Sequence, residues 1–127
     1  MAKSSGDHLA GALFRLVIVE ESDVIRAAIA ELAADLHGWQ VVGLCSAPAE
    51  GAELAAREKP QLVLLRAALA SADIVRQIRA GAPDCMVYLT SFRCTRTRVS
   101  DARLQGADGC LEIERLASEL PRLVGLK

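Results

Sequence analysis

Short aliphatic and β-branched runs alternate along the chain with stretches whose apolar positions recur every three or four residues. Residues 15–19, 39–44, 61–65, 86–89 and 109–111 are the runs, and each has the length of a strand. After the first, Ile25, Ile29, Leu32 and Leu36 share one helix face, with Ser22 placed to cap its start and Gly38 to end it. Ser46 and Pro48 open a second helix that packs through Ala52, Leu54 and Ala55, and Pro60 closes it. Ser71 caps a third that carries Ile74, Val75 and Ile78 and stops at Gly81 and Pro83. Thr95 or Thr97 begins a fourth, which Gly106 terminates. A fifth starts near Glu114, where Pro121 is expected to truncate or kink it.

The run at 61–65 has almost no polar alternation, so it reads as a strand buried on both faces. Five strands alternating with five helices predict an α/β fold with a parallel sheet covered on both sides. Right-handed crossovers leave few topologies, and the flavodoxin-like (βα)5 doubly wound order 2-1-3-4-5 suits this length. Its switch point lies between strands one and three, at their C-terminal ends, where such sheets place their chemistry. Glu20 and Glu21 follow the first strand and Arg66 follows the third, so an acidic pair and a cation are expected to meet there. We expect a flexible tail over residues 1–13 and a single domain over 14–127.

Composition narrows the function classes. The chain is 52% hydrophobic but 3% aromatic, so Leu, Val, Ile and Ala must build the core. A net charge of −1 exerts no global pull toward nucleic acid or a membrane. No apolar run approaches the roughly 20 residues of a membrane helix, and the start lacks a secretory pattern. A cytoplasmic protein is expected. Cys45, Cys85, Cys94 and Cys110 form no Cys-x-x-Cys pair, and neither His8 nor His37 stands at ligand spacing from them. No metal and no cofactor is expected. Cys45, Cys85 and Cys110 sit in or beside apolar runs and read as small hydrophobes. Cys94 reads as a loop cysteine between Arg93 and Arg96, the one candidate for a redox thiol.

The order, spacing and length of these elements resemble the receiver domain of bacterial two-component response regulators, over residues 14–124. The segments VVGLCSAPAEGAELAAREKPQLVLL and LQGADGCL carry the resemblance best. It implies a fold that accepts a phosphoryl group from a histidine kinase on an aspartate after strand three. It also implies an acidic pair for Mg²⁺, a hydroxyl after strand four and a lysine after strand five. Metal and lysine together neutralise three negative oxygens. Glu20 and Glu21 stand at the acidic pair and Thr90 at the hydroxyl. Arg66 stands at the acceptor, Ile113 at the lysine, Glu114 at the proline after it and Cys110 at the aromatic position. The segment after Arg66 is also shorter than the family norm. This pattern reads as a degenerate pseudo-receiver without phosphoryl chemistry.

Two adjacent carboxylates repel, and a guanidinium, which keeps its proton, can serve them as a permanent counterion. The pocket therefore reads as a fixed ionic lock. The alternative is that Arg66 bends into solvent over hydrated glutamates. Arg93, Arg96, Arg98 and Arg103 cluster around the fourth helix with Asp101 opposing them, and with Cys110 they mark a candidate partner face. A solvated helix face is the plainer reading of the same charges. The expected function is a stand-alone signalling adaptor, since the sequence closes at Lys127 soon after the last helix. Its partner is a protein of a signalling pathway such as a kinase, regulator or effector, acidic sooner than not, and a homodimer stays open. Catalysis is not expected, because no glycine loop follows strand one and neither histidine falls at a strand end. A small-ligand or redox sensor is the alternative. A nucleic-acid-associated regulator is the weaker one, lacking aromatic residues among the arginines.

Overall fold

The computed structural model describes residues 13–125. The tail expected over residues 1–13 lies almost wholly outside them. Five strand–helix pairs follow one another: β1 (Phe14–Val19) with α1 (Asp23–Ala34), β2 (Trp39–Cys45) with α2 (Pro48–Glu58), and β3 (Leu62–Arg66) with α3 (Ala72–Gly81). They continue with β4 (Met86–Ser91) and α4 (Arg96–Leu104), then β5 (Gly109–Glu112) and α5 (Leu116–Val124). The strands pair in parallel in the order β2-β1-β3-β4-β5, as the alternation predicts.

Side chains alternate across the sheet with period two and divide the core into two layers. Leu16, Ile18, Leu62 and Leu64 pack with Ile29 and Ala33 of α1 and Leu116 and Leu120 of α5. Val17, Val19, Val63 and Leu65 pack with Leu54 of α2, Val75 and Ile78 of α3 and Ala102 of α4. Leu62 to Leu65 are fully inaccessible, so the central strand is buried on both faces. One helix lies very close to the sheet. A Cβ built on Gly51 would stand 2.5 Å from Val19 Cγ2, so only glycine lets α2 approach β1 there.

Local chemistry sets the helix starts. The hydroxyls of Ser22, Ser71 and Thr95 accept from the amides of Ile25, Ile74 and Arg98 at 3.2, 3.1 and 3.2 Å. Thr95, not Thr97, is therefore the cap of α4. Three expectations are corrected. Ser46 does not cap α2: Ala47 holds that place without a side-chain bond, and Pro48 presets the first turn and removes one amide in need of an acceptor. Gly38 does not cap α1, which ends at Asp35. Gly38 instead turns the chain into β2 with φ +86, and its carbonyl accepts from the Phe14 amide at 2.7 Å. Pro121 does not truncate α5, which runs on to Val124 because Leu116, Leu120 and Leu123 are buried on one side of it.

Candidate functional site

The C-terminal edge of the sheet gathers the residues that follow β1, β3 and β4. Parallel register sets Arg66 beside Thr90, and Val19 beside Leu65 on the other flank of β3. Glu20, one residue past β1, is 1% exposed. Its Oε1 accepts from Arg66 Nη1 at 2.8 Å, and its Oε2 accepts from the Ser22 amide at 2.9 Å. Arg26 of α1 reaches back to donate to the Glu20 carbonyl at 2.8 Å. The Arg66 side chain is 17% exposed, and its guanidinium lies 4.8 Å from the centre of the Phe92 ring. A buried carboxylate thus has a cation on one oxygen and an amide on the other, and the cation is screened by an aromatic face.

Glu21 does not join this cluster. It is exposed and makes no ion pair among the described residues, because the turn into α1 carries alternate side chains to opposite sides. Thr90 is buried at the same edge, and Ile113 lies half-buried in the helical turn Ile113–Arg115 after β5. The residues do not fit a divalent cation. Both Glu20 oxygens are engaged, Glu21 faces solvent, and the adjacent side chain is itself a cation. Among the described residues no group of three or more His, Cys, Asp or Glu side chains is placed to hold a metal ion.

The basic residues divide. Arg93 and Arg98 line an open cavity of about 440 Å³ together with Arg66, Ser91, Phe92 and Thr95. Among the described residues no carboxylate lines it. Arg96 and Arg103 are exposed on α4 away from that cavity. Sequence reasoning treated the pocket and the basic patch as separate features, and the segment between β4 and α4 joins them. Phe92 was missed altogether. The signal available for it was an aromatic residue directly after β4 in a chain with 3% aromatics.

Cys110 corrects the reading of the cysteines. It is not an isolated small hydrophobe but is joined to Cys94 by a disulfide, with the two Cα atoms 5.9 Å apart. Cys110 neighbours Leu89 in the parallel register, so the chain leaving β4 turns back over it. A separation of 16 residues hides that proximity in the sequence. Cys45 and Cys85 are buried thiols, as expected, and burial pushes the Cys45 thiol up from its ordinary pKa, with Glu50 adding to the rise.

No family model matches the chain, and no curated protein matches it. Among solved structures it is similar to the signal receiver domain of NarL from Mycobacterium tuberculosis, with a TM-score of 0.77 and 23% identity over 88% of this chain and 93% of that one. The response regulator domain of Thermotoga maritima CheB gives a TM-score of 0.75 at 17% identity, covering 90% and 95%. A chain from the crystal structure of the P1 domain of CheA3 in complex with CheY6 from R. sphaeroides gives 0.75 at 21%, covering 91% and 97%. At such identities the likeness establishes the fold alone: this chain has the flavodoxin-like fold of receiver domains. No helix of the described residues is long and apolar enough to cross a membrane.

Proposed function

We propose that this chain is a pseudo-receiver, a receiver-fold adaptor of a bacterial signalling pathway that acts by binding a protein partner and is not itself phosphorylated. The observation that carries the reading is the 2.8 Å bridge from Arg66 to Glu20. It puts a permanent cation where a receiver needs a nucleophilic carboxylate, and it consumes the carboxylate that would hold the metal. Ile113 brings no positive charge to the third corner of the site. A phosphoryl group arriving there finds no carboxylate acceptor at residue 66 and no metal to neutralise it. In acetyl phosphate and Mg²⁺ the intact mass is expected to stay unchanged. A stable, Mg²⁺-dependent adduct would overturn the proposal.

The partner face is placed on α4 and β5, with Arg93, Arg96, Arg98 and Arg103 around it. Three of these arginines, Arg93, Arg96 and Arg98, border the cavity or the first turn of α4, and that turn contains no acidic residue. Positive side chains at the positive end of a helix are mutually unfavourable, and an acidic partner relieves them. One of the structural neighbours comes from a complex between two proteins, which supports binding as the mode of output. Reversing charge at Arg96 and Arg98 together is expected to slow association with the native partner about tenfold at low salt, with added salt erasing the difference. Unchanged association at low salt would move the face to the α1–α5 side.

A further inference from the structure

The four cysteines fall into two chemical classes. Cys45 and Cys85 are 5% and 4% exposed inside the core, whereas Cys94 and Cys110 are both half-buried at the surface. Their disulfide borders a cavity of about 250 Å³, open to solvent between α4 and α5, together with Val99, Glu112 and Arg115. A small thiol can therefore reach the sulfurs without the protein unfolding.

The bond also encloses a segment that is tied at its far end, where Arg79 donates to the Gly106 carbonyl at 2.8 Å and pairs with Asp108 at 3.1 Å, but is held by few contacts at its start. The span between the two cysteines contains the whole of α4. Ala102 is the one buried residue of that helix, and Leu104 is 81% exposed. Near the disulfide the Cys94 amide donates to Glu112 Oε2 at 2.9 Å and fastens the segment to β5. Phe92, the residue over Arg66, stands two positions before Cys94 in the same segment. The covalent bond thus positions both the arginine-bearing helix and the aromatic lid of the Glu20–Arg66 pair.

We infer that Cys94 and Cys110 form a reversible dithiol–disulfide site, oxidised by low-molecular-weight disulfides, whose state sets how firmly α4 and its arginines are held. The regulatory consequence rests on the partner face proposed above; the thiol chemistry does not. In the reduced protein the Cys94 thiolate attacks one sulfur of a disulfide such as oxidised glutathione. A mixed disulfide forms and one glutathione thiolate leaves. The Cys110 thiolate then attacks the Cys94 sulfur, closes the internal bond and expels the second glutathione. The protein has lost two electrons and two protons, and the reagent has gained them as two thiols. A dithiol reductant runs the sequence backward.

The test uses the full chain under native conditions. Oxidised protein is treated with N-ethylmaleimide, with and without prior dithiothreitol, and mapped by peptide mass. Expected is no labelling before reduction and labelling at Cys94 and Cys110 alone after it. Returning the reduced protein to oxidised glutathione should restore the internal disulfide. Amide hydrogen exchange across residues 92–104 should quicken about tenfold on reduction, while β1 and β3 stay unchanged. A Cys94→Ser/Cys110→Ser variant should show the fast pattern in either buffer, which separates loss of the bond from any effect of the reductant. Cysteines that stay unlabelled after reduction, a glutathione adduct that never resolves, or equal exchange in both states would each overturn the inference. A phosphoryl adduct in the acetyl phosphate experiment would sink the pseudo-receiver reading and leave this one standing.

Discussion

Arg66→Met is expected to destabilise the protein by about 3 kcal/mol, lowering the melting temperature by roughly 10 °C. Glu20 is 1% exposed, and among the described residues Arg66 is the only cation paired with its carboxylate. Methionine keeps the apolar bulk of the arginine stem and removes the guanidinium with its charge and its hydrogen bond to Glu20. Among the described residues the Ser22 amide then remains the sole hydrogen-bond donor to a carboxylate that has left water behind. The cause is the stranded charge, so neutralising it should restore stability. A Glu20→Gln/Arg66→Met double variant should recover more than half of the loss in urea unfolding. A double variant as unstable as the single one would show that Arg66 acts by packing on Phe92 rather than by charge. Arg93→Ala, which removes an exposed cation, should change stability by less than about 0.5 kcal/mol.

Leu64→Ala should cost about 3–4 kcal/mol. Leu64 is fully inaccessible on the central strand, between Ile18 and Tyr88 in register, and it packs in the layer made with α1 and α5. The neighbours that could close the gap are strand residues held by the sheet on both sides and helix residues fastened one turn away. Such a site relaxes little, and the residual cavity adds to the lost burial. In urea the midpoint should fall with the slope unchanged, which marks a loss of stability rather than a looser native state. Leu104→Ala, at an 81% exposed position, serves as the control and should shift the midpoint by less than about 0.5 kcal/mol equivalent. Equal effects at the two positions would contradict the two-layer core.

Legibility in the sequence followed the range of the interaction. Strands, helices and caps rest on neighbours within four residues, so Ser22, Ser71 and Thr95 could be read directly as caps or as one of two candidates. Where the reading failed, a competing local device had displaced the expected one. Pro48 made a side-chain cap dispensable, and the buried leucines of α5 outweighed Pro121. At the site, the meeting of a carboxylate with Arg66 was foreseeable because parallel register brings the ends of β1 and β3 together whatever the side chains are. Which glutamate would answer was not foreseeable. The turn after β1 sends Glu20 inward and Glu21 to solvent, and two adjacent identical residues carry no mark of that choice.

The sequence by itself determined the alternating fold, the strand order and the cation at the end of β3, because each follows from periodicity, crossover handedness or the identity of one residue. Tertiary structure alone decided three things: the partner of Arg66, the Phe92 ring against its guanidinium, and the bond from Cys94 to Cys110. All three depend on where a loop returns after leaving the sheet. The path of a short loop is set by the packing of the elements it joins, and its own residues do not encode the neighbours it will meet.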